Sequence, residues 1–235
     1  MMVQVETHCH TAETSSCGRV PAAKIVADYK KAGYRMLITT DHYYERMWER
    51  PELAGRDWQE KMDAYMRGYR AARAAGEALG VRVLFATEIQ FDGCAPHDFL
   101  IYGMSEEYMR AHPYLNRMRP EEFYAICRRE GFYMIHAHPF RKGKEQPYLP
   151  VCYDAVEVFN GHPRHDSHNQ RAVHFALENG LAMFSGTDYH WEEDCGRGGI
   201  LLPEETDTME QVVAYLRSRQ AELIVTYEEG KEEEK

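Results

Sequence analysis

Short apolar runs alternate with amphipathic, helix-period segments along most of this chain of 235 residues. The apolar runs, each suited to one strand, are residues 3–7, 35–40, 81–87, 99–102, 132–135, 155–159 and 181–185. The helical patterns cover residues 21–31, 58–79, 120–129, 168–178 and 209–217. Alternation of strand and helix predicts mostly parallel pairing, and about seven repeats of it favour an α/β barrel over an open sheet.

Length and composition fit one such barrel. We expect a single domain over residues 1–235, and an apolar fraction of 44% is enough to build its core. Residues 228–235 are nearly all charged and are predicted to be a frayed tail. Residues 43–56 are aromatic, charged and interrupted by Pro51 and Gly55, which predicts an excursion that covers either a substrate or the barrel itself.

The net charge and the cysteine pattern limit what the protein is expected to bind and where it is expected to be located. The formal charge of −10 argues against tight binding to long nucleic acid, which needs clustered Lys and Arg. A small anionic substrate stays possible, because bound cations would invert the charge of a pocket. The six cysteines show no C-x-x-C pair, no basic and apolar leader opens the chain, and no apolar run reaches about 18 residues. The expected location is a reducing cytoplasm, away from membranes.

Histidines and acidic residues stand at or beside the ends of the predicted strands. In chain order they are His8, His10, Asp41, His42, Glu88, His97, His136, His138, Asp188 and His190. Because the carboxyl ends of barrel strands share one rim, these side chains are expected to converge there. Imidazole and carboxylate groups bind zinc, iron and manganese, so the set predicts a polynuclear metal site and a metal-dependent hydrolase.

The members of this set differ in how strongly they indicate a metal ligand. Alternate residues of a strand point the same way, so His8 and His10 present two imidazoles to one side. Glu88 follows a strongly apolar strand, where a charge is costly unless it is paired or bound to metal. Its carboxylate could therefore bridge two cations. His136 lies on the strand face of His138 and ranks below it as a ligand, with a supporting role expected.

The motifs and their order resemble the PHP (polymerase and histidinol phosphatase) superfamily of metal-dependent phosphoesterases. The matching segments are THCHT (7–11), ITTDH (38–42), TE (87–88), HDFLIYG (97–103), HAHP (136–139), EVFNG (157–161) and SGTDYH (185–190). They run in the order of that family and span nearly the whole chain. The resemblance implies a distorted, TIM-like (β/α)7 barrel that holds two or three divalent ions, either Zn, Mn or Fe.

By motif position the resemblance also implies a ligand set for each ion. The first set is His8, His10, Glu88 and Asp188; the second is Glu88, His97 and His138; the third is His42 and His190. Family members usually add an Asp or His to the third set shortly after the first motif, where this chain has residues 13–18. Three alternatives stay open there: Glu13 substitutes, Cys17 substitutes, or the third position is weak or vacant. Asp41 and His136 are further candidates as ligands or supports of ligands.

The implied reaction is hydrolysis of a small-molecule phosphomonoester, such as histidinol phosphate or a nucleotide, by a hydroxide that bridges the ions. The expected catalytic residues are Asp188, His190 and His42. The candidates to bind phosphate, all in loops after rim strands, are Arg141, Lys142, Arg164 and Arg197. Taken singly, each of these basic side chains is more typical of an exposed charge that keeps the protein in solution.

Three other functions are compatible with the same residues. An exonuclease would use the same ions on short oligonucleotides and would release mononucleotides instead of inorganic phosphate. An amidohydrolase barrel also begins with His-x-His and ends with Asp, but it often bridges its ions with a carboxylated lysine where this chain has Glu88. A metal-binding regulatory module would have the ligands without turnover.

Overall fold

A computed structural model describes residues 1–141 and 146–226, so Lys142 and the predicted frayed tail lie outside the described residues. The strands are β1 (Met2–Glu6), β2 (Met36–Thr39), β3 (His42–Tyr43), β4 (Arg82–Ile89), β5 (Asp98–Tyr102), β6 (Tyr133–Ala137), β7 (Ala155–Asn160), β8 (Ala182–Gly186), β9 (Gly198–Pro203) and β10 (Glu222–Val225). The helices are α1 (Ala22–Lys31), α2 (Glu45–Trp48), α3 (Trp58–Tyr65), α4 (Arg67–Leu79), α5 (Glu106–Ala111), α6 (Pro120–Glu130), α7 (Asn169–Glu178) and α8 (Met209–Ser218). Every predicted strand is present within a few residues of its expected bounds.

The strands form one curved sheet in the order β10-β9-β1-β2-β4-β5-β6-β7-β8, with β3 paired to β4. Strands β1, β2 and β4 run parallel, as do β6, β7 and β8. The sheet curls until its two ends meet through Ser185, whose hydroxyl accepts from the Gly199 amide at 3.3 Å and donates to the Ile224 carbonyl at 2.6 Å. The fold is therefore a nearly closed α/β barrel, as predicted.

Two strands depart from the parallel pairing expected of this barrel. Strand β5 runs antiparallel to β4 and β6, and β9 runs antiparallel to β1. Only residues 90–97 separate β4 from β5, and a parallel pair needs a crossover of about a dozen residues or more. The reversal brings the amino end of β5 to the rim where β4 ends, so His97 still lies at that rim.

Strand β9 is missing from the sequence prediction because it begins with two glycines, which lower strand propensity. Close backbone packing requires both of them. A Cβ on Gly198 would lie 2.3 Å from the Gly186 carbonyl oxygen, and one on Gly199 would lie 2.2 Å from the Val5 carbonyl oxygen. These approaches allow β9 to close the barrel between β8 and β1.

The helix predicted before Gly80 is in fact two helices, α3 and α4, which meet at Met66. The Thr14 hydroxyl enters this junction, where it donates to the Tyr65 carbonyl at 2.8 Å and accepts from the Gly68 amide at 3.0 Å. A side chain inserted into the hydrogen-bond ladder is a known cause of such breaks. The junction also anchors the loop between β1 and α1 to the helices.

The predicted excursion at residues 43–56 contains the end of β3 and the short helix α2. Its Tyr43, Met47 and Trp48 are buried in the same apolar cluster as Tyr65 and Phe91. The segment therefore packs as a structural cap on the barrel. Among the described residues, no helix is long and apolar enough to cross a membrane.

Candidate metal centre

Side chains from β1, β3, β4, β6 and β8, or from the residues that follow these strands, meet at one rim of the barrel. Glu88 lies at their centre. Its carboxylate oxygens are 2.9 Å from His42 Nδ1, 3.1 Å from His138 Nε2, 3.3 Å from His10 Nε2 and 3.5 Å from His8 Nε2. Burial would raise the pKa of Glu88, but the imidazoles of His42 and His8 hold it well below its ordinary value. The centre is thus organised around an ionised carboxylate.

Asp188 contributes a second carboxylate beside the same histidine pair. Its Oδ1 lies 3.2 Å from His10 Nε2 and 3.5 Å from His8 Nε2. Its Oδ2 accepts hydrogen bonds from the Arg141 guanidinium and, at 3.3 Å, from Asn160 Nδ2. Burial would raise the pKa of Asp188, but Arg141 and His8 hold it well below its ordinary value. Asp188 is therefore also ionised near neutral pH.

These residues fit divalent metal ions. The Nε2 atoms of His8 and His10 are buried and form no hydrogen bond of acceptable geometry with any described residue, although carboxylate oxygens lie 3.2–3.5 Å away. Leaving such an atom without a partner costs about 1–3 kcal/mol, and a cation would be that partner. Four sets of described residues have candidate ligand atoms within 4.8 Å of one another, and two of them contain His8: His8, His10 and Asp188, and His8, Glu88 and His138.

Glu157 orients the histidines from the side away from the carboxylates. Its Oε1 accepts from His8 Nδ1 at 2.8 Å, and its Oε2 accepts from the His138 amide at 2.8 Å and from Asn160 Nδ2 at 3.0 Å. A proton held on His8 Nδ1 leaves the Nε2 lone pair available to a metal. The sequence prediction gave Glu157 no role, although an acid inside the fully buried strand β7 was its signal.

The backbone is strained at two of the ligands. His138 has φ 33° and Asp188 has φ 57°, in the left-handed region that most residues other than glycine avoid. His and Asp adopt this region more readily than most residues do. Strain of this kind concentrates at functional sites, and here it falls where the chain turns at the rim after β6 and β8.

His97 and His136 pair with each other beside the centre. His136 Nε2 lies 3.3 Å from His97 Nδ1, and Phe99 stacks on the His136 ring with centroids 4.9 Å apart. The sequence predicts that His97 joins Glu88 and His138 as a ligand. In the structure the side chain grouped with those two residues is His8. A ligand role for His97 stays a prediction, and the geometry suits His136 to supporting it.

Of the two candidates for the third position, Cys17 lies at the centre and Glu13 lies apart from it. The Glu13 carboxylate accepts from the Ala22 amide at 3.0 Å, at the start of α1. The ligand atom of Cys17 lies within 4.8 Å of those of His10, His42 and His190. Burial would raise the pKa of Cys17, but hydrogen bonds with His190 and His42 lower it to about 7.

Asp41 supports the loop that carries Cys17. Its carboxylate accepts from the Thr11 amide at 2.8 Å, from Thr11 Oγ1 at 2.8 Å and from Ser15 Oγ at 2.6 Å. Ser15 Oγ in turn accepts from the His42 amide at 3.0 Å. The geometry therefore suits Asp41 to positioning the loop and His42, with both of its oxygens occupied.

Of the three arginines predicted to bind phosphate, Arg141 is the one whose guanidinium reaches the metal centre. It donates to Asn160 Oδ1 at 2.9 Å and to Asp188. Arg164 instead donates to a buried carboxylate in the loop after β8, and Arg197 donates to a backbone carbonyl of that loop at 3.4 Å.

Comparison with known proteins supports the barrel fold described above. Residues 166–221 match the PHP-associated family. A two-domain protein of Bacteroides vulgatus, which contains a predicted PHP-like metal-dependent phosphoesterase, shares the fold with a TM-score of 0.66 at 18% identity. The match covers 96% of this chain and 65% of that one. The chain therefore shares the fold of PHP-like structures, and its residues 166–221 resemble the PHP-associated family.

Two other solved structures with this PHP fold have different activities in their names. The lesion-specific endonuclease PfuEndoQ of Pyrococcus furiosus matches with a TM-score of 0.61 at 14% identity, over 95% of this chain and 58% of its own. An amidohydrolase of Chromobacterium violaceum matches with a TM-score of 0.52 at 15% identity, over 92% of this chain and 96% of its own. The chain thus spans less than two thirds of the Bacteroides protein and of the endonuclease. No curated protein matches the sequence.

Proposed function

We propose that this protein belongs to the PHP superfamily and is a metal-dependent phosphoesterase that hydrolyses a small-molecule phosphomonoester. The observation that carries the proposal is the pair of buried nitrogens, His8 Nε2 and His10 Nε2, which face the ionised carboxylates of Glu88 and Asp188 without a hydrogen bond to any described residue. The Arg141 guanidinium stands beside them. Cation ligands and a group that recognises phosphate thus converge at one rim.

Divalent ions bound here would acidify a water molecule toward neutral pH and neutralise the phosphate oxygens. We propose that His8, His10 and Asp188 hold one ion and that Glu88 and His138 hold a second, since the single available nitrogen of His8 can bind only one ion. Zinc, manganese and iron all accept this mixture of imidazole and carboxylate. Glu88 faces the nitrogens of both sets, with Oε2 near His8 and His10 and Oε1 near His138, so the two positions adjoin each other and can act on one substrate group.

Arg141 is proposed to orient the phosphate. Its side chain is only 16% exposed, and it is tethered to Asn160 and Asp188. Its buried Nε–H donates to none of the described residues. A phosphate oxygen would accept this hydrogen bond, and the planar guanidinium favours such a contact.

Proton delivery to the leaving alcohol is proposed to occur from the open side of the centre. Asp188 is held ionised, so its proposed role is as a ligand and not as a proton donor. His42 and His190 reach the surface, with side chains 24% and 11% exposed. We propose that water reaching this side protonates the departing oxygen.

Hydrolysis of short oligonucleotides is the second candidate, because the fold is shared with an endonuclease. The net charge of −10 favours a small substrate over a long nucleic acid. Glu88 as the central carboxylate favours phosphoester hydrolysis over the amidohydrolase reaction, for which a carboxylated lysine would be expected.

The test is a substrate screen on protein stripped with a chelator and reloaded with Mn²⁺ or Zn²⁺. We expect inorganic phosphate to be released from at least one small phosphomonoester, and Glu88→Gln to reduce the rate on the order of 100-fold. Release of mononucleotides from oligonucleotides without phosphatase activity would support the exonuclease instead. Failure of the metal-loaded protein to cleave any phosphate ester would indicate a regulatory module.

A further inference from the structure

A cysteine completes a different kind of ligand set at the edge of the metal centre. The ligand atoms of Cys17, His10, His42 and His190 lie within 4.8 Å of one another, which suits one tetrahedral ion. The His10 ring centroid lies 4.4 Å from that of His42 and 4.6 Å from that of His190. Three imidazoles and one thiol therefore surround a common point.

The backbone holds Cys17 at this point. The Gly18 amide donates to the Ser15 carbonyl at 3.1 Å, and the next amide donates to the His190 carbonyl at 2.9 Å. A Cβ on Gly18 would lie 2.7 Å from the carbonyl carbon and oxygen of Thr11, so the turn requires glycine. The backbone that carries Cys17 is consequently fixed by the fold of the loop.

His10 lies where the cysteine set meets the proposed hydrolytic ions. Its side chain is fully buried, and its Nε2 makes no well-formed hydrogen bond within the described part of the chain. His10 also belongs to the set with His8 and Asp188. The cysteine set therefore adjoins the proposed hydrolytic ions, and Cys17, His42 and His190 are the ligands that those ions leave for this position.

We propose that Cys17 binds a metal ion together with His42 and His190, and that this third position selects Zn²⁺ over Mn²⁺ and Mg²⁺. Thiolate is a soft ligand that Zn²⁺ accepts readily, whereas Mn²⁺ and Mg²⁺ prefer oxygen ligands. The inference rests on the proposed function for the neighbouring ions, but it concerns metal selectivity and not hydrolysis.

Other cysteines of the chain provide a contrast and a control. Cys9 is buried in an apolar cluster with Tyr29 and Leu37. Cys195 is half-buried, like Cys17, but it is absent from the ligand sets found among the described residues. Cys195 is therefore the matched control for Cys17.

Cobalt(II) is the first probe, because a cobalt–thiolate bond gives an intense charge-transfer absorption. Co²⁺ is added to the chelator-stripped wild type, to Cys17→Ser and to Cys195→Ser, with circular dichroism to verify folding. We expect the absorption in the wild type and in Cys195→Ser, and its loss in Cys17→Ser. No absorption in the wild type, or an unchanged absorption in Cys17→Ser, would overturn the proposal.

Alkylation of the unmutated protein is the second probe, so it does not depend on a variant that folds. Iodoacetamide labelling is followed by mass spectrometry with no metal, with Zn²⁺ and with Mn²⁺. We expect Zn²⁺ to slow labelling of Cys17 by about tenfold or more, Mn²⁺ to have little effect and Cys195 to be unaffected. Equal labelling of Cys17 with and without Zn²⁺, or equal protection by Mn²⁺, would refute the inference. Protection by Zn²⁺ in a protein that cleaves no phosphate ester would refute only the proposed function.

Discussion

Glu157 determines which nitrogen of His8 faces the carboxylates of the metal centre. By accepting from Nδ1 at 2.8 Å, it favours the tautomer whose Nε2 has a free lone pair. Burial would lower the pKa of His8, but Asp188, Glu157 and Glu88 together raise it well above its ordinary value. A divalent ion would therefore compete with a proton for the same nitrogen.

Glu157→Gln should weaken metal binding, because an amide at this position can donate to Nδ1 and favour the wrong tautomer. We expect an affinity loss of about 10–100-fold for Zn²⁺, measured by competition with a chromogenic chelator. The control is Glu178→Gln, an exposed acid at the end of α7. Equal affinities for both variants would show that Glu157 does not orient the ligand.

Glu6 is a buried carboxylate of a different kind, because it supports the backbone. Its Oε1 accepts from the amides of Thr7 at 2.9 Å, His8 at 2.8 Å and Thr187 at 3.1 Å, and its Oε2 accepts from the Tyr29 hydroxyl at 2.6 Å. It therefore ties the end of β1 to the residue after β8.

Glu6→Ala should lower the free energy of unfolding by about 3–5 kcal/mol, because three buried amides lose their acceptor. Urea denaturation measures the change. Tyr29→Phe removes one hydrogen bond of the same carboxylate and should cost only about 1 kcal/mol. Similar losses in the two variants would mean that the amides find other partners.

Helix α4 and the loop between β1 and α1 meet at Gly68. A Cβ there would lie 1.9 Å from Thr11 Oγ1 and 2.8 Å from both Asp41 Oδ2 and Thr14 Oγ1. The helix thus approaches the hydrogen bonds through which Asp41 holds the loop of Cys17. Packing between these elements fixes the third ligand position from outside the centre.

Gly68→Ala should therefore destabilise the protein, although alanine is the better helix former. We expect a loss of about 1–3 kcal/mol from overpacking, with faster alkylation of Cys17 as the loop loosens. Ala74→Gly on the exposed side of α4 should cost about 1 kcal/mol through helix propensity alone and leave alkylation unchanged. A Gly68→Ala protein more stable than the wild type would contradict this packing.

At the scale of the whole molecule, the barrel brings together candidate ligands that are up to 182 residues apart in sequence, from His8 to His190. Ions bound to such a set stabilise only the folded chain. Zn²⁺ at about 100 times its dissociation constant should add about 2.7 kcal/mol per site and raise the melting temperature. Calorimetry with and without chelator measures this shift, and an unchanged melting temperature would contradict binding to the folded barrel.

The sequence predicted the barrel and the convergence of its ligands because strand ends and the spacing of His and acid are local patterns. It did not predict β9, whose glycines conceal a strand, or the break at Met66, which Thr14 makes from another part of the chain. The role of Glu157 was not predicted for a similar reason. Its role depends on contacts with His8 and His138, which only the folded barrel brings together.

Metal content tests the central claim most directly. The wild type and Asp188→Asn are stripped with a chelator, reloaded with Zn²⁺, freed of excess metal and analysed by mass spectrometry of the elements. Asn adopts the left-handed backbone of position 188 as readily as Asp, so the change removes charge without adding strain. The two proposed ligand sets, one with His8, His10 and Asp188 and one with Glu88 and His138, predict at least two ions per wild-type chain and the loss of at least one in the variant. Fewer than two ions in the wild type, or a full complement in the variant, would contradict the account.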